Sequence, residues 1–172
     1  MKILSLRFQN IHSLKGKFTI DFTTSPLSDT GIFAIIGPTG SGKSTILDAI
    51  TLALFNRVPR TGNLSKNTVE TVGAIMTKNT DECYTEVEYQ VRDKRYRSKW
   101  SISRARTGNL RDYDMELASV NDNKFLDLKK SEVPKKNTEI IGLDYDQFLK
   151  SILLSQGEFA KFLKADAHER TD

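Results

Sequence analysis

Gly37-Pro38-Thr39-Gly40-Ser41-Gly42-Lys43-Ser44 fits the pattern G-x-x-x-x-G-K-[ST] at every defined position. The pattern restricts the fold tightly because its chemistry works in only one setting. Its glycines let the backbone curl so that successive N–H groups point inward around a phosphate. Lys43 brings a cation to the β- and γ-oxygens, and Ser44 offers a hydroxyl to Mg2+. Such a loop follows a buried strand and opens a helix whose positive end faces the anion. Both flanks comply. Ile32-Phe33-Ala34-Ile35-Ile36 is a continuous apolar run that predicts a strand buried on both faces. Ile46, Leu47, Ala49, Ile50, Ala53 and Leu54 recur at helical spacing and predict a helix over about Lys43 to Phe55. The candidate nucleotide-binding residues are therefore Gly37, Pro38, Thr39, Gly40, Ser41, Gly42, Lys43, Ser44 and Thr45, with ATP or GTP as the ligand.

The rest of the pattern predicts an α/β chain. Leu4, Leu6 and Phe8 alternate with polar residues, as do Phe18, Ile20 and Phe22, so two strands flank a loop over Asn10 to Gly16. Arg57 to Asn79 is polar and interrupted by Pro59 and Gly62, and reads as an irregular surface excursion. Val87/Tyr89/Val91, Tyr96/Trp100/Ile102 and Met115/Leu117 predict an antiparallel meander, turning at Asp93-Lys94 and Thr107-Gly108-Asn109, with a further short strand over Phe125 to Leu128. A helix then opens with Ser131 as N-cap and Pro134 in its first turn and stops at Gly142, followed by a short helix from Asp144 to Lys150. At 172 residues the chain buries enough surface to fold without staples. Cys83 is its only cysteine and reads as a buried thiol. No apolar run approaches the roughly 20 residues needed to cross a bilayer, and the N-terminus lacks the marks of a signal peptide.

Hydrolysis requires an acidic residue at the end of a second apolar strand, and none is convincing. Asp81-Glu82 follows a polar stretch, and Asp144 follows Ile140-Ile141-Gly142-Leu143 between two expected helices. Gln156, after Ile152-Leu153-Leu154 and before Gly157, is placed to set a neutral amide beside a metal and an attacking water. On spacing alone a solvated loop amide fits Gln156 better.

Several segments together resemble one family. Phe33 to Ile50 around the glycine loop, the opening Met1-Lys2-Ile3-Leu4-Ser5-Leu6 with Asn10 and Ser13-Leu14-Lys15-Gly16, Ile75 to Cys83, and Leu153-Leu154-Ser155-Gln156-Gly157-Glu158-Phe159 are similar to the N-terminal lobe of SbcC, an ABC-type ATPase. The resemblance implies a P-loop fold of ABC type, with a mixed sheet, an antiparallel flank, a lobe over residues 1–157, and a helix over 158–172 leading into a coiled coil. It implies ATP and Mg2+ as cofactors, Gln156 as a metal and water sensor beside Lys43, and Ser44 as a metal ligand. His12 and Ser13, and the stretch Glu70, Thr71 and Val72, would lie near the base and ribose. Relatives in archaea and eukaryotes tend to carry arginine where His12 stands, so a surface histidine without a ligand role fits equally well. The implied partners are the SbcD nuclease, a C-terminal lobe of the same chain, a second SbcC head and double-stranded DNA, in the bacterial cytoplasm at the nucleoid and away from membranes. An SMC-like tether and a P-loop small-molecule kinase are the alternative readings.

Net charge is +4, but its distribution is uneven. Between Arg92 and Arg111 stand eight cations and one acid, so this window carries +7 and the remainder of the chain −3. Arg95, Arg97 and Lys99 share one parity, opposite Tyr96 and Trp100, which places them in a row on the solvent face. With Arg104 and Arg106 they are candidate contacts to DNA phosphates. The alternative is an edge strand protected from aggregation by its charges.

Overall fold

The structure, a computed structural model, describes residues 1–28, 35–73 and 75–151. Its elements in chain order are β1 (Lys2–Ile11), β2 (Leu14–Asp21), α1 (Lys43–Phe55), β3 (Arg57–Val58), β4 (Gly62–Asn63), α2 (Lys66–Val72), β5 (Glu82–Val91), β6 (Lys94–Ser103), β7 (Asp114–Ser119), β8 (Lys124–Phe125), α3 (Val133–Ile141) and α4 (Tyr145–Ser151). Six strands form one sheet in the order β2-β1-β5-β6-β7-β8, and β3 and β4 form a separate hairpin. Among the described residues every pairing is antiparallel. The antiparallel flank expected of the sheet is thus present, while the strand expected to make the sheet mixed falls on the apolar run of which only Ile35 and Ile36 are described. The expected helix over 158–172 lies outside the described residues, as do Ile32, Phe33 and Ala34 of the apolar run. Ile35 and Ile36 belong to no strand and are exposed, Ile36 to 88%.

Alternation decides the sheet's two faces. Leu4, Leu6 and Phe8 on β1, Val87 and Tyr89 on β5, Trp100 and Ile102 on β6, and Met115 and Leu117 on β7 all point inward and are buried. The cross-strand register matches them, with Leu6 opposite Val87, Tyr89 opposite Tyr96 and Trp100 opposite Met115. A shift of one residue would turn each of these side chains to water, so the register is strongly specified. It also corrects the β5–β6 turn. Val91 pairs with Lys94, leaving Arg92 and Asp93 in the turn, with Arg92 at φ 53°. The β1–β2 connection is tighter than the expected loop. Ile11 pairs with Leu14 across His12 and Ser13, and the Asn10 carboxamide oxygen accepts from the Gly16 N–H at 2.8 Å.

Helix α1 lies across the inner face, and small polar residues let it come close. Thr85 Oγ1 donates to the Ala49 carbonyl at 2.8 Å, and Ser98 Oγ donates to the Ala53 carbonyl at 2.7 Å. From above, α3 contributes Asn137, whose Nδ2 reaches the Leu54 carbonyl and Ser98 Oγ while its Oδ1 accepts from the Tyr89 hydroxyl. All of these side chains are fully buried, and each is satisfied, as burial requires. Burial also pushes the Cys83 thiol up to about 12, which leaves it a protonated packing group.

The stretch expected to be irregular is instead ordered. Asn56, left-handed at the C-cap of α1, exchanges hydrogen bonds with Leu64: Asn56 Nδ2 donates to the Leu64 carbonyl, and the Leu64 N–H donates to the Asn56 carbonyl. The two bonds fold β3 and β4 back onto α1. Ser65 then caps α2, and Gly73 ends it at φ 60°. The N-cap of α3 also differs from expectation, being Glu132 rather than Ser131, with Pro134 in the first turn. Proline supplies no N–H for a serine to cap, and the Glu132 carboxylate instead accepts from the Lys129 N–H at 2.8 Å. Among the described residues no helix is long and apolar enough to cross a membrane.

Candidate functional site

The glycine loop has the conformation its sequence demands. Gly40 and Gly42 adopt φ 85° and 87°, a region where other residues are strained. Gly42 also has a steric reason: a Cβ there would come within 3.1–3.3 Å of the Leu14 side chain on β2. Gly42 is the N-cap of α1 and offers no side chain to its first N–H groups, which therefore remain available to an anion. Lys43 turns its ammonium into the loop, donating to the Gly37 and Pro38 carbonyls at 2.7 Å each. The donor set fits a polyphosphate: uncapped amides at a helix start, a left-handed glycine curl, and a cation held on carbonyls that a stronger acceptor can replace. Ser44 Oγ accepts from Arg60 Nη2 at 2.9 Å. Thr45 is buried under the loop.

One wall of the site comes from the β1–β2 turn. His12 Nε2 lies 3.0 Å from Asp48 Oδ2, one helical turn beyond Ser44, and the Asp48 side chain is only 3% exposed. The His12 backbone N–H donates to the Ile75 carbonyl at 2.5 Å, and the Thr77 N–H donates to the Asn10 carbonyl. The turn is thereby tied both to the phosphate-loop helix and to the segment that follows α2. Ser13 is exposed at the tip of the turn. Glu70 and Thr71 are exposed on α2, which Val72 ends, and the Thr71 hydroxyl donates back to the Asn67 carbonyl. His12 is thus more than a surface histidine: Asp48 holds its ring beside α1. Gln156 lies outside the described residues. Of the two acids weighed for hydrolysis, Asp81 precedes β5, and Asp144 caps α4, accepting from the Gln147 N–H at 2.9 Å.

Sequence reasoning overlooked Arg57, Asn56 and Arg60. Arg57 on β3 stacks over the Tyr145 ring of α4 at 4.2 Å. Asn56 accepts from Trp100 Nε1 at 2.8 Å. Their signal was present but weak: Pro59 and Gly62 mark a hairpin only when apolar anchors such as Val58 and Leu64 are counted with them.

The basic row faces solvent as expected, yet β6 is an interior strand, so the edge-protection alternative is corrected. On that face β5 sets carboxylates against the cations: Glu86 pairs in register with Lys99, and Glu88 with Arg97. Glu86 bridges Arg7 at 3.0 Å and Arg97 at 3.9 Å, while Lys99 approaches Glu116 at 4.0 Å. Beyond the strand, Arg104 and Arg106 are exposed, and Arg104 Nη1 donates to the Gly108 carbonyl.

Comparison with known proteins agrees with the loop. A family model described as AAA domain matches residues 5–172. The SbcC subunit of the nuclease SbcCD from Pseudomonas aeruginosa is 40% identical over 185 residues, covering 99% of this chain and 15% of that protein. The same-named protein of Rhodobacter capsulatus is 39% identical with the same coverage. The Probable DNA double-strand break repair Rad50 ATPase of Aquifex aeolicus is 34% identical over 172 residues, covering 99% of this chain and 16% of that protein. The chain therefore spans about 15% of the length of the curated relatives it matches. Matched from residue 5 onward and carrying an intact phosphate loop, the chain belongs to the AAA domain family and, within it, to the SbcC/Rad50 group.

Proposed function

We propose that this chain is the ATP-binding half of an SbcC-type head that controls a SbcD-like nuclease acting on double-stranded DNA ends and hairpins. The observation carrying the reading is the uncapped start of α1 beneath a left-handed glycine loop, with Lys43 already turned into it. When bound, Mg2+ and ATP supply the phosphoanhydride to be cleaved and the cation that neutralises charge as it breaks. The amides at the start of α1 bind phosphate oxygens. The Lys43 ammonium would exchange its two carbonyl acceptors for phosphate oxygens, and the Ser44 hydroxyl would hold the metal. The β1–β2 turn, with His12 and Ser13, and the α2 stretch Glu70, Thr71 and Val72 flank the base and ribose. Gln156 would orient water toward the metal-bound phosphate.

The acid that completes hydrolysis would come from a C-terminal lobe of the same protein, and a second head would close over the nucleotide. The head would work in the bacterial cytoplasm, at the nucleoid. DNA phosphates would contact the surface of Arg95, Arg97, Lys99, Arg104 and Arg106. The reading is tested by ATP hydrolysis with and without the C-terminal lobe, and with and without SbcD and a DNA hairpin. Turnover that requires the lobe, and hairpin cleavage that requires ATP, are expected. Full turnover by residues 1–172 alone would overturn the half-site reading.

A further inference from the structure

The β3–β4 hairpin carries a guanidinium to the mouth of the phosphate loop. Arg60 lies between the two strands of the hairpin, is exposed, and spends one N–H on Ser44 Oγ at 2.9 Å. The hairpin beneath it is firmly held. Val58 and Leu64 are 1% and 2% exposed, Asn56 binds Leu64 through two hydrogen bonds, and Arg57 stacks on Tyr145. Arg60 is therefore presented on a fixed base, and side-chain rotation alone sets its reach.

The partner it has chosen is informative. The Ser44 hydroxyl is the oxygen a P-loop gives to Mg2+, and that metal bridges the β- and γ-phosphates. A guanidinium and a Mg2+ ion cannot both lean on one hydroxyl oxygen without an anion between them. Arg60 would give up Ser44 to a metal held there, and phosphate oxygens bound with that metal would be its natural new acceptors. Guanidinium offers five donors in a planar fork that matches phosphate oxygens two at a time. Lys43 already serves the inner part of the loop through Gly37 and Pro38. Arg60 approaches from the Ser44 side, the side on which a terminal phosphate bound through the metal would present its oxygens.

We propose that Arg60 is a further phosphate-binding residue, which leaves Ser44 for the terminal phosphate and so distinguishes nucleoside triphosphate from diphosphate. This rests on the nucleotide reading of the loop. The experiment titrates a fluorescent, non-hydrolysable ATP analogue and the matching ADP analogue, with Mg2+, into the full-length protein and its Arg60→Ala, Arg60→Lys and Lys43→Ala variants. Arg60→Ala is expected to weaken the triphosphate about tenfold, the loss of one charge-assisted hydrogen bond, and to leave the diphosphate within about twofold. Arg60→Lys should recover part of the loss. An unchanged thermal midpoint shows that the exposed substitution has not disturbed the hairpin. Equal effects on both analogues, or none, would overturn the role of Arg60 while leaving the loop assignment intact. If Lys43→Ala binds both analogues as the parent does, the loop assignment itself fails.

Discussion

The two ends of α1 differ in what surrounds them. At the C-terminal end, Thr85, Ser98 and Asn137 donate to the carbonyls of Ala49, Ala53 and Leu54, and Asn56 ties the helix to Leu64 and Trp100. At the N-terminal end, Gly42 contributes no side chain, Lys43 rests on its own loop, and a single guanidinium touches Ser44. The helix is fixed by its buried contacts and by the Asp48–His12 tie, so the amides at its start need no partner from the fold. A loop that must exchange its acceptors on each binding event benefits from such anchoring, because only the exposed Lys43 and Arg60 contacts have to give way.

The contrast can be attacked from either end. The largest effect belongs to the bare end: Lys43→Ala should lower nucleotide affinity more than about a hundredfold, since it removes the charge that faces the phosphates. The apo protein should melt as before; a lowered midpoint without nucleotide would show that Lys43 also holds the fold. At the anchored end, Asn137→Leu should cost about 3 kcal/mol, because it leaves the buried Tyr89 hydroxyl without its acceptor and takes a donor from the Leu54 carbonyl and from Ser98 Oγ in a dry interior. Urea unfolding measures this, and a cost below about 1 kcal/mol would mean the network is dispensable. Ser98→Ala should cost about 1–2 kcal/mol, a lesser loss because the two buried bonds it removes leave the Asn137 amide with its Leu54 and Tyr89 partners. Neither substitution should alter nucleotide affinity in the folded fraction; if one does, the two ends are coupled and the contrast fails.

The smallest effect is a surface control. Lys130 hydrogen-bonds Asp112 and holds its carboxyl below the usual value, while Asp112 in turn raises the Lys130 ammonium. The acid's contribution is present above its ordinary pKa of 3.8 and is lost as pH falls through the lowered value. The base's contribution is present below its ordinary 10.5 and is lost as pH rises through the raised one. Asp112 is exposed and Lys130 half-buried, a surface pair screened by solvent, so Asp112→Asn should change stability at neutral pH by under about 1 kcal/mol. A chemical denaturation series across pH would reveal a larger role.

Much of this was legible in the residues. The phosphate loop was readable because its conformation depends on glycines at fixed places, and the inner face of the sheet because alternation on β1, β5, β6 and β7 is regular. Side chains whose value lies in a partner far along the chain were not readable. Asn137 meets Tyr89 from 48 residues away and Leu54 from 83, and no local pattern marks it. Asp48 gains its partner only when the β1–β2 turn, 36 residues away, places His12 against it. The charge row on β6 was placed on the correct face, but its neighbours were not: Glu86 and Glu116 acquire meaning only through register. Short strands such as β3 and β4 have no periodicity to detect.

Trp100 is the only tryptophan in the chain. It is fully buried, stacked on Tyr113 at 6.3 Å, and bonded through its indole nitrogen to Asn56, the residue that joins α1 to the Arg60 hairpin. Its fluorescence therefore comes from a single known place. Emission that stays blue and unquenched while nucleotide binds would mean that the joint holds still and only the Arg60 side chain moves. A red shift on binding would mean that the whole hairpin swings.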